Sequence, residues 1–296
     1  MSFFSEIKDI VKSVKLIFGS CCAPYTYDYL NILKKFDFVT TCSPKFVMDF
    51  KEAGIEPLLL YHAFSPAILD KIDKTERIND VVFIGSIVPR EGYHIERKKF
   101  LEKIAENPSF NFNFFGNISN LKYPEVFKLQ MLFFIKQFLN KTRIDNLFKN
   151  SAKYKKLQSL NSYPMFTKFS KALKEAYKGE LFGIDMYKEY ARSKITFDIQ
   201  VEVEGKYAGN MRMFETTGTG VCLLLEDKIN IREIFNPDTE VVIYNSFDDA
   251  IEKIKWLMEN EDKMKEIAIA GQKRTLKDHT YKLRTEILID KIKKYI

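Results

Sequence analysis

The stretch from Gly209 to Glu226, G-N-M-R-M-F-E-T-T-G-T-G-V-C-L-L-L-E, constrains this chain more than any other. It reads as a short helix entered through Gly209-Asn210 and closed by Gly218 and Gly220, running into an apolar strand over 221–225. Glycines suit both ends because they allow a positive φ and a close approach of backbones. Asn210 is a favourable N-cap, and Met211, Met213 and Phe214 supply the buried side. Arg212 and Glu215 then stand one turn apart on another face, where they can act together. Free N–H groups at a helix start, a cation in the first turn and a carboxylate just behind suit a nucleoside diphosphate. The amides and Arg212 would take phosphate oxygens, and Glu215 would take two ribose hydroxyls. The same spacing also fits a plain amphipathic helix with a surface Arg–Glu pair.

The remaining segments place that strand in a sheet. Residues 14–18 read as a strand ending at Gly19-Ser20, 27–33 as a helix and 36–41 as a strand. A helix over 44–53 follows, opened by Ser43 as N-cap with Pro44 in its first position and ended by Gly54. Another buried strand covers 57–61. After a polar linker at 71–79, the strand 80–84 runs into the turn Gly85-Ser86, and a helix begins at Arg97. Residues 110–115 alternate with period two up to Gly116-Asn117. A helix over 186–193, a strand over 194–200, the signature helix and strand, a strand over 240–244 and helices to the end complete the order, with Ser246 as a further cap. Residues 1–13 read as a short amphipathic helix. Strands alternating with helices at this spacing predict parallel sheets, whose ligands sit at the carboxyl ends of the strands. Gly19-Ser20, the run 40–43 and the run 62–66 would share one rim.

At 296 residues, 46% apolar and 29% charged, the chain can hold two modest domains with real cores. Its four cysteines (adjacent Cys21 and Cys22, isolated Cys42 and Cys222) and scattered His62, His94 and His279 show no metal-ligand spacing. No metal site is therefore expected, and the thiols read as reduced, as in a cytoplasmic protein. No apolar run reaches the roughly 18 residues needed to span a bilayer. The first residues carry acids early and do not read as a cleaved signal.

The run 212–220, R-M-F-E-T-T-G-T-G before an apolar strand, resembles the signature of group-1-like glycosyltransferases, specifically the CgeB or spore-maturation branch with a GT-B fold. The segment 227–238, the strand at 240–244, the capped helix after Ser246 and the closing helices resemble that family in the same order. The resemblance implies an α/β, GT-B-like fold of two Rossmann-like domains, an acceptor-side one over 1–77 and a nucleotide-sugar-binding one over 78–296. Only about three strands precede Pro66, so the N-terminal domain is expected to be incomplete. The resemblance further implies that Gly85, Ser86, Asn210 and Arg212 hold the donor diphosphate with help from Arg97, Arg90 being a second choice. Glu215 would bind the ribose and Tyr187 would stack near the nucleobase. No cofactor or metal is implied beyond the donor sugar nucleotide, and the last helix is expected to cross back to the first domain. Where the family often has an Asn and a His, this chain has Asp198 and Gln200. The first of two glutamates spaced eight apart in retaining enzymes is replaced by Tyr207, with Glu204 nearby. The expected activity is sugar transfer to a cell-surface or lipid-linked glycan or a protein. The rival reading is a non-catalytic, nucleotide-sugar-binding scaffold subunit.

Residues 120–178 do not fit the family pattern and read as a helical basic insert. Between 122 and 178 there are thirteen Lys or Arg against three acids, so this segment alone exceeds the chain's net charge of +7. Phe127, Met131, Phe133, Phe134 and Phe138 interleave with the lysines. That pattern fits a helix lying on an anionic membrane surface, which would make the protein peripheral at the inner face of the cell membrane. It also fits a solvated lysine face over an aromatic core. Nucleic acid is the less favoured partner, because arginine is scarce and no binding motif is present.

Overall fold

The computed structural model describes residues 13–72, 76–88, 94–118, 123–142, 151, 157–158, 160, 163–164, 168–200 and 202–296. Most of the helix expected over 1–13, and Arg90, lie outside them. In chain order the elements are β1 (Phe18–Ser20), α1 (Tyr27–Leu33), β2 (Phe38–Thr41), α2 (Pro44–Glu52) and β3 (Pro57–Leu59). Next come β4 (Asn79–Ile84), α3 (Ile95–Ala105), β5 (Phe112–Phe115), α4 (Tyr123–Thr142), α5 (Lys171–Ala176), α6 (Gly183–Ala191) and β6 (Ser193–Asp198). The chain closes with α7 (Arg212–Gly218), β7 (Cys222–Glu226), α8 (Ile231–Ile234), β8 (Val242–Tyr244), α9 (Phe247–Glu259), α10 (Glu261–Asp278) and α11 (Tyr281–Ile292). Two compact units result: Met1–Phe83 with Ser109–Asn111 and Phe182–Ile296, and Ile84–Pro108 with Phe112–Leu181.

The first unit holds two parallel sheets. One has the order β1-β2-β3, with Gly19 opposite Val39 and Thr40 opposite Leu58. In the other, β4, β6, β7 and β8 lie side by side, with Val82 opposite Thr196, Phe197 opposite Leu224 and Leu225 opposite Ile243. Local chemistry sets the boundaries. Ser43 Oγ accepts from Phe46 N at 3.5 Å to start α2, and Gly54 at φ +75° stops it. Strand β1 starts four residues later than its apolar run, because Ile17 N donates to the Asp37 carboxylate (2.7 Å) before the ladder begins. Strand β7 is buried up to its last residue, as a parallel strand covered on both faces must be.

Helix α7 lies on that sheet through Met213 and Phe214, in one core with Phe64, Leu223, Leu225, Ile231, Ile234 and Phe235. Burial of each large side chain there contributes roughly 1.5–3 kcal/mol. Gly218 is needed for space, since a Cβ would lie 2.3 Å from the Phe64 ring, whereas Gly220 is needed for its φ of +76°. The strand-crossing residue Phe64 is hydrogen-bonded to the chain end, its N–H to His279 O (2.9 Å) and its carbonyl to Tyr281 N (3.3 Å). Helix α11 then returns to the first sheet, as expected. Arg284 Nε donates to Tyr61 O (3.0 Å), Lys291 pairs with Glu56, and the Tyr295 ring tilts against Phe38 at 5.6 Å.

In the second unit, α3 buries Phe100, Leu101 and Ile104, and Phe114, Val126, Phe169 and Leu173 are buried as well. Ser170 caps α5 by accepting from Leu173 N (3.2 Å), and its own N–H donates to Glu102 (2.7 Å). The basic insert is helical over α4 and α5. On α4, Phe127, Met131, Phe134, Ile135 and Phe138 form an exposed stripe at helical spacing. The expected segregation of lysines is incomplete, because Lys136 turns inward to the carbonyls of Gln158 and Leu160 (2.9 Å each).

Candidate functional site

The seven expected site residues fall into two groups, one in each unit. In the first unit the structure brings Tyr187, Asn210, Arg212 and Glu215 together around the start of α7. Helix α7 begins at Arg212 with Met211 as N-cap, one residue later than expected. Asn210 still caps it, since its Oδ1 accepts from Arg212 N (3.2 Å) while its Nδ2 donates to Asp198 Oδ1 (2.8 Å). Gly209 N donates to Gln200 Oε1 (3.3 Å), and Gln200 Nε2 donates to the second Asp198 oxygen (2.6 Å). The amide of Arg212 is therefore already satisfied within the turn and is not offered outward as the sequence reading assumed.

Asp198 and Gln200, whose roles the sequence left open, are buried residues that hold the Gly209-Asn210 turn in place. Asn230 clamps the residue before that turn with two bonds of 2.8 Å to the Ala208 backbone and a third to Tyr61 Oη (3.0 Å).

Glu215 is largely enclosed, and Tyr187 Oη donates to its Oε1 at 3.4 Å. Burial pushes the Glu215 carboxyl above the usual range, opposed by the Arg212 charge and the tyrosine bond. Tyr187 meets the Phe64 ring edge-on at 6.0 Å and holds the carboxylate. Arg212 differs from its neighbours. Its guanidinium lies 5.8 Å from the Phe83 ring centre and, among the described residues, makes no hydrogen bond or ion pair, so the surface Arg–Glu pair does not form. A half-buried cation stacked on an aromatic ring without an anion is suited to a ligand that brings one.

In the second unit Gly85 N donates to Phe115 O (2.7 Å), and Gly116 is the residue that lets the two turns meet, since a Cβ there would lie 2.2 Å from Gly85 O. Arg97 is only 3% exposed. Its Nη1 donates to Ser86 O (3.1 Å) and stands 3.0 Å from His94 Nε2, so the arginine expected to face phosphate instead fixes the Gly85-Ser86 turn. His94 is buried at the head of α3 with φ 58° and accepts from Val88 N through Nδ1 (3.2 Å).

The rim of the first sheet holds what sequence reasoning missed. Glu204 is 6% exposed and accepts a short hydrogen bond from Ser43 Oγ, and burial raises its carboxyl pKa. The position a Gly209 Cβ would take is 3.0 Å from Cys42 O and 3.3 Å from Glu204 Oε2, so this rim abuts the signature turn. Ligand atoms without any metal-ligand spacing in the sequence also gather at this rim. Cys22, Cys42 and His62 bring their ligand atoms within 4.8 Å of one another. They come from three successive strand ends, far apart in sequence. A separate cavity of about 510 Å³ opens at the amino ends of β4, β6 and β7, between Arg77, Lys194, Gly220 and Glu261. It lies at the strand ends opposite to those that carry ligands in such sheets.

Two parallel sheets with helices between the strands form the α/β fold of GT-B glycosyltransferases. The sequence profile of the glycosyl transferase-like family matches residues 90–290, and the chain belongs to that family. No curated protein matches it in sequence. HepE from Anabaena, solved in complex with UDP, aligns with a TM-score of 0.61 at 11% identity, over 98% of this chain and 75% of that one. Phage T4 BGT, solved with UDP and Mn2+, aligns with a TM-score of 0.53 at 16% identity, over 94% and 73%. Sucrose-phosphate synthase from Thermosynechococcus elongatus gives 0.55 at 10% identity, over 90% of this chain and 60% of its own length. At these identities the likeness is one of fold.

Proposed function

We propose that the protein transfers a sugar from a nucleoside-diphosphate sugar, with Arg212 on the diphosphate and Glu215 on the ribose hydroxyls. The observation that carries this reading is the Arg212 guanidinium, stacked on Phe83 with no acceptor among the described residues, one helical turn from a carboxylate held by Tyr187. As the bond to the leaving diphosphate breaks, negative charge grows on its oxygens, and a fixed guanidinium stabilises that charge without reorganising. No metal is assigned to this step. Tyr187, Asn210, Asp198 and Gln200 act as positioning residues. For the Gly85-Ser86 turn we propose that its outer face meets phosphate, with Arg97 holding its shape. UDP is the nucleotide favoured, on the strength of the UDP and UDP-glucose complexes of HepE. The order of the motifs supports the CgeB-type branch, with an acceptor-side lobe over 1–77 and a donor-side lobe over 78–296.

The purified protein is expected to bind UDP, and Glu215→Ala to weaken that binding by about 1.5–3 kcal/mol in calorimetric titration, the worth of hydrogen bonds to a charged group. An unchanged affinity would remove Glu215 from the site.

The acceptor proposed is a glycan, lipid-linked or at the cell surface, reached from an anionic membrane. No helix among the described residues is long and apolar enough to cross a bilayer. The exposed stripe on α4, flanked by Lys128 and Lys141, supports surface docking instead. Co-flotation with vesicles containing phosphatidylserine is expected for the whole chain, and Phe134→Ser with Phe138→Ser should abolish it. Both side chains are exposed, so undiminished flotation of the double variant would rule out docking through this helix.

A further inference from the structure

We propose that Cys22, Cys42 and His62 form a zinc site at the carboxyl-end rim of the first sheet. Their ligand atoms lie within 4.8 Å of one another, contributed by the turns that follow β1, β2 and β3. A tetrahedral zinc with Zn–S near 2.3 Å and Zn–N near 2.0–2.1 Å holds its ligand atoms roughly 3.5–3.8 Å apart. The gap to that spacing is closed by small side-chain adjustments. Two sulfurs and one imidazole nitrogen select zinc over magnesium or calcium, which prefer oxygen.

The electrostatics of the three groups agree with this use. Cys42 is 2% exposed whereas Cys22 faces solvent, so the cluster is anchored on one side and open to an entering ion on the other. Two thiolates and a neutral imidazole would bring the ion's charge to zero. That balance suits a partly enclosed position where an uncompensated charge would be costly. Three protein ligands leave one coordination position for water.

The site is distinct from the Arg212–Glu215 group yet adjoins it through the chain. The Cys42 carbonyl lies against the backbone of Gly209, three residues before the start of α7. Metal binding at the rim would thereby stiffen the strand ends on which the signature turn rests.

The test uses the whole chain, reduced and stripped with a chelator, titrated with Co2+ as a spectroscopic probe and then with Zn2+. The expected result is a thiolate-to-cobalt charge-transfer band in the near ultraviolet, bleached by equimolar Zn2+. Affinity should fall roughly a hundredfold in Cys22→Ser, Cys42→Ser and His62→Ala. Cys21→Ala, which removes a thiol that donates to Ala23 O, should leave it unchanged. Zinc should also protect Cys22 from alkylation by iodoacetamide. Because Cys22 is exposed, Cys22→Ser and the alkylation readout remain informative even if Cys42→Ser misfolds. A spectrum lacking the thiolate band, equal affinity in the Cys21 and Cys22 variants, or alkylation unaffected by zinc would overturn the assignment.

Discussion

Arg212→Ala is expected to lower kcat/KM for the sugar donor by roughly 100- to 1,000-fold, the loss seen when a fixed donor to developing charge is removed. The expectation follows from the unused capacity of this side chain. Phe83 holds the guanidinium by its ring face at 5.8 Å, and no acid or carbonyl among the described residues takes its protons. Arg212→Lys should recover only part of the loss, since an ammonium keeps the charge but not the paired donors that fit two phosphate oxygens. Most of the defect should appear in kcat, because charge on the leaving diphosphate is greater in the transition state than in the bound donor. Initial rates with UDP-sugars as donor will show this, and a loss of less than about threefold would exclude Arg212 from the transition state.

Much of this arrangement was legible in the sequence. The apolar run before Glu226, the Ser43-Pro44 cap and the alternation of strands with helices each carry a local signal, and the elements stand where those signals put them. Arg212 and Glu215 could be read as a pair because one helical turn joins them. What the sequence hid is contact between distant strand ends. Ser43 meets Glu204, Asp198 meets Asn210, and Cys22 meets Cys42 and His62, pairings that no short spacing encodes. Arg97 was misjudged for a related reason. A basic residue near a helix start looks like an anion site, but the structure spends it on the Ser86 carbonyl.

The second large effect concerns His279. It is 6% exposed, its Nε2–H donates to Ile234 O (3.0 Å), and its Nδ1 accepts from Arg284 Nη2 (2.9 Å). The Phe214 and Phe235 rings lie 5.0 and 5.4 Å from the imidazole. Burial, aided by the Arg284 and Arg274 charges, lowers its pKa to about 4 against the bond to Ile234. The unfolded chain takes up a proton near pH 6.5 that the folded chain refuses until about pH 4. The stability this histidine confers is therefore level above pH 6.5 and drains away as pH falls through that window, by on the order of 3 kcal/mol in full. Urea unfolding at pH 7.5, 6 and 5 should show the decline in the parent protein and a flatter profile in His279→Gln. Parallel profiles would place the proton uptake elsewhere.

The return of α11 to the first sheet has a consequence for how the protein is made. Phe38, at the centre of that sheet, is covered by Lys291 and Tyr295, which are synthesised some 250 positions later. Until Lys291 and Tyr295 have been synthesised, Phe38 lacks the two side chains that α11 and the turn after it lay over its ring. Long-range closure of this kind is slow and leaves nascent surface open to aggregation. Strand β2 thus reaches its final packing only after α11 has been made.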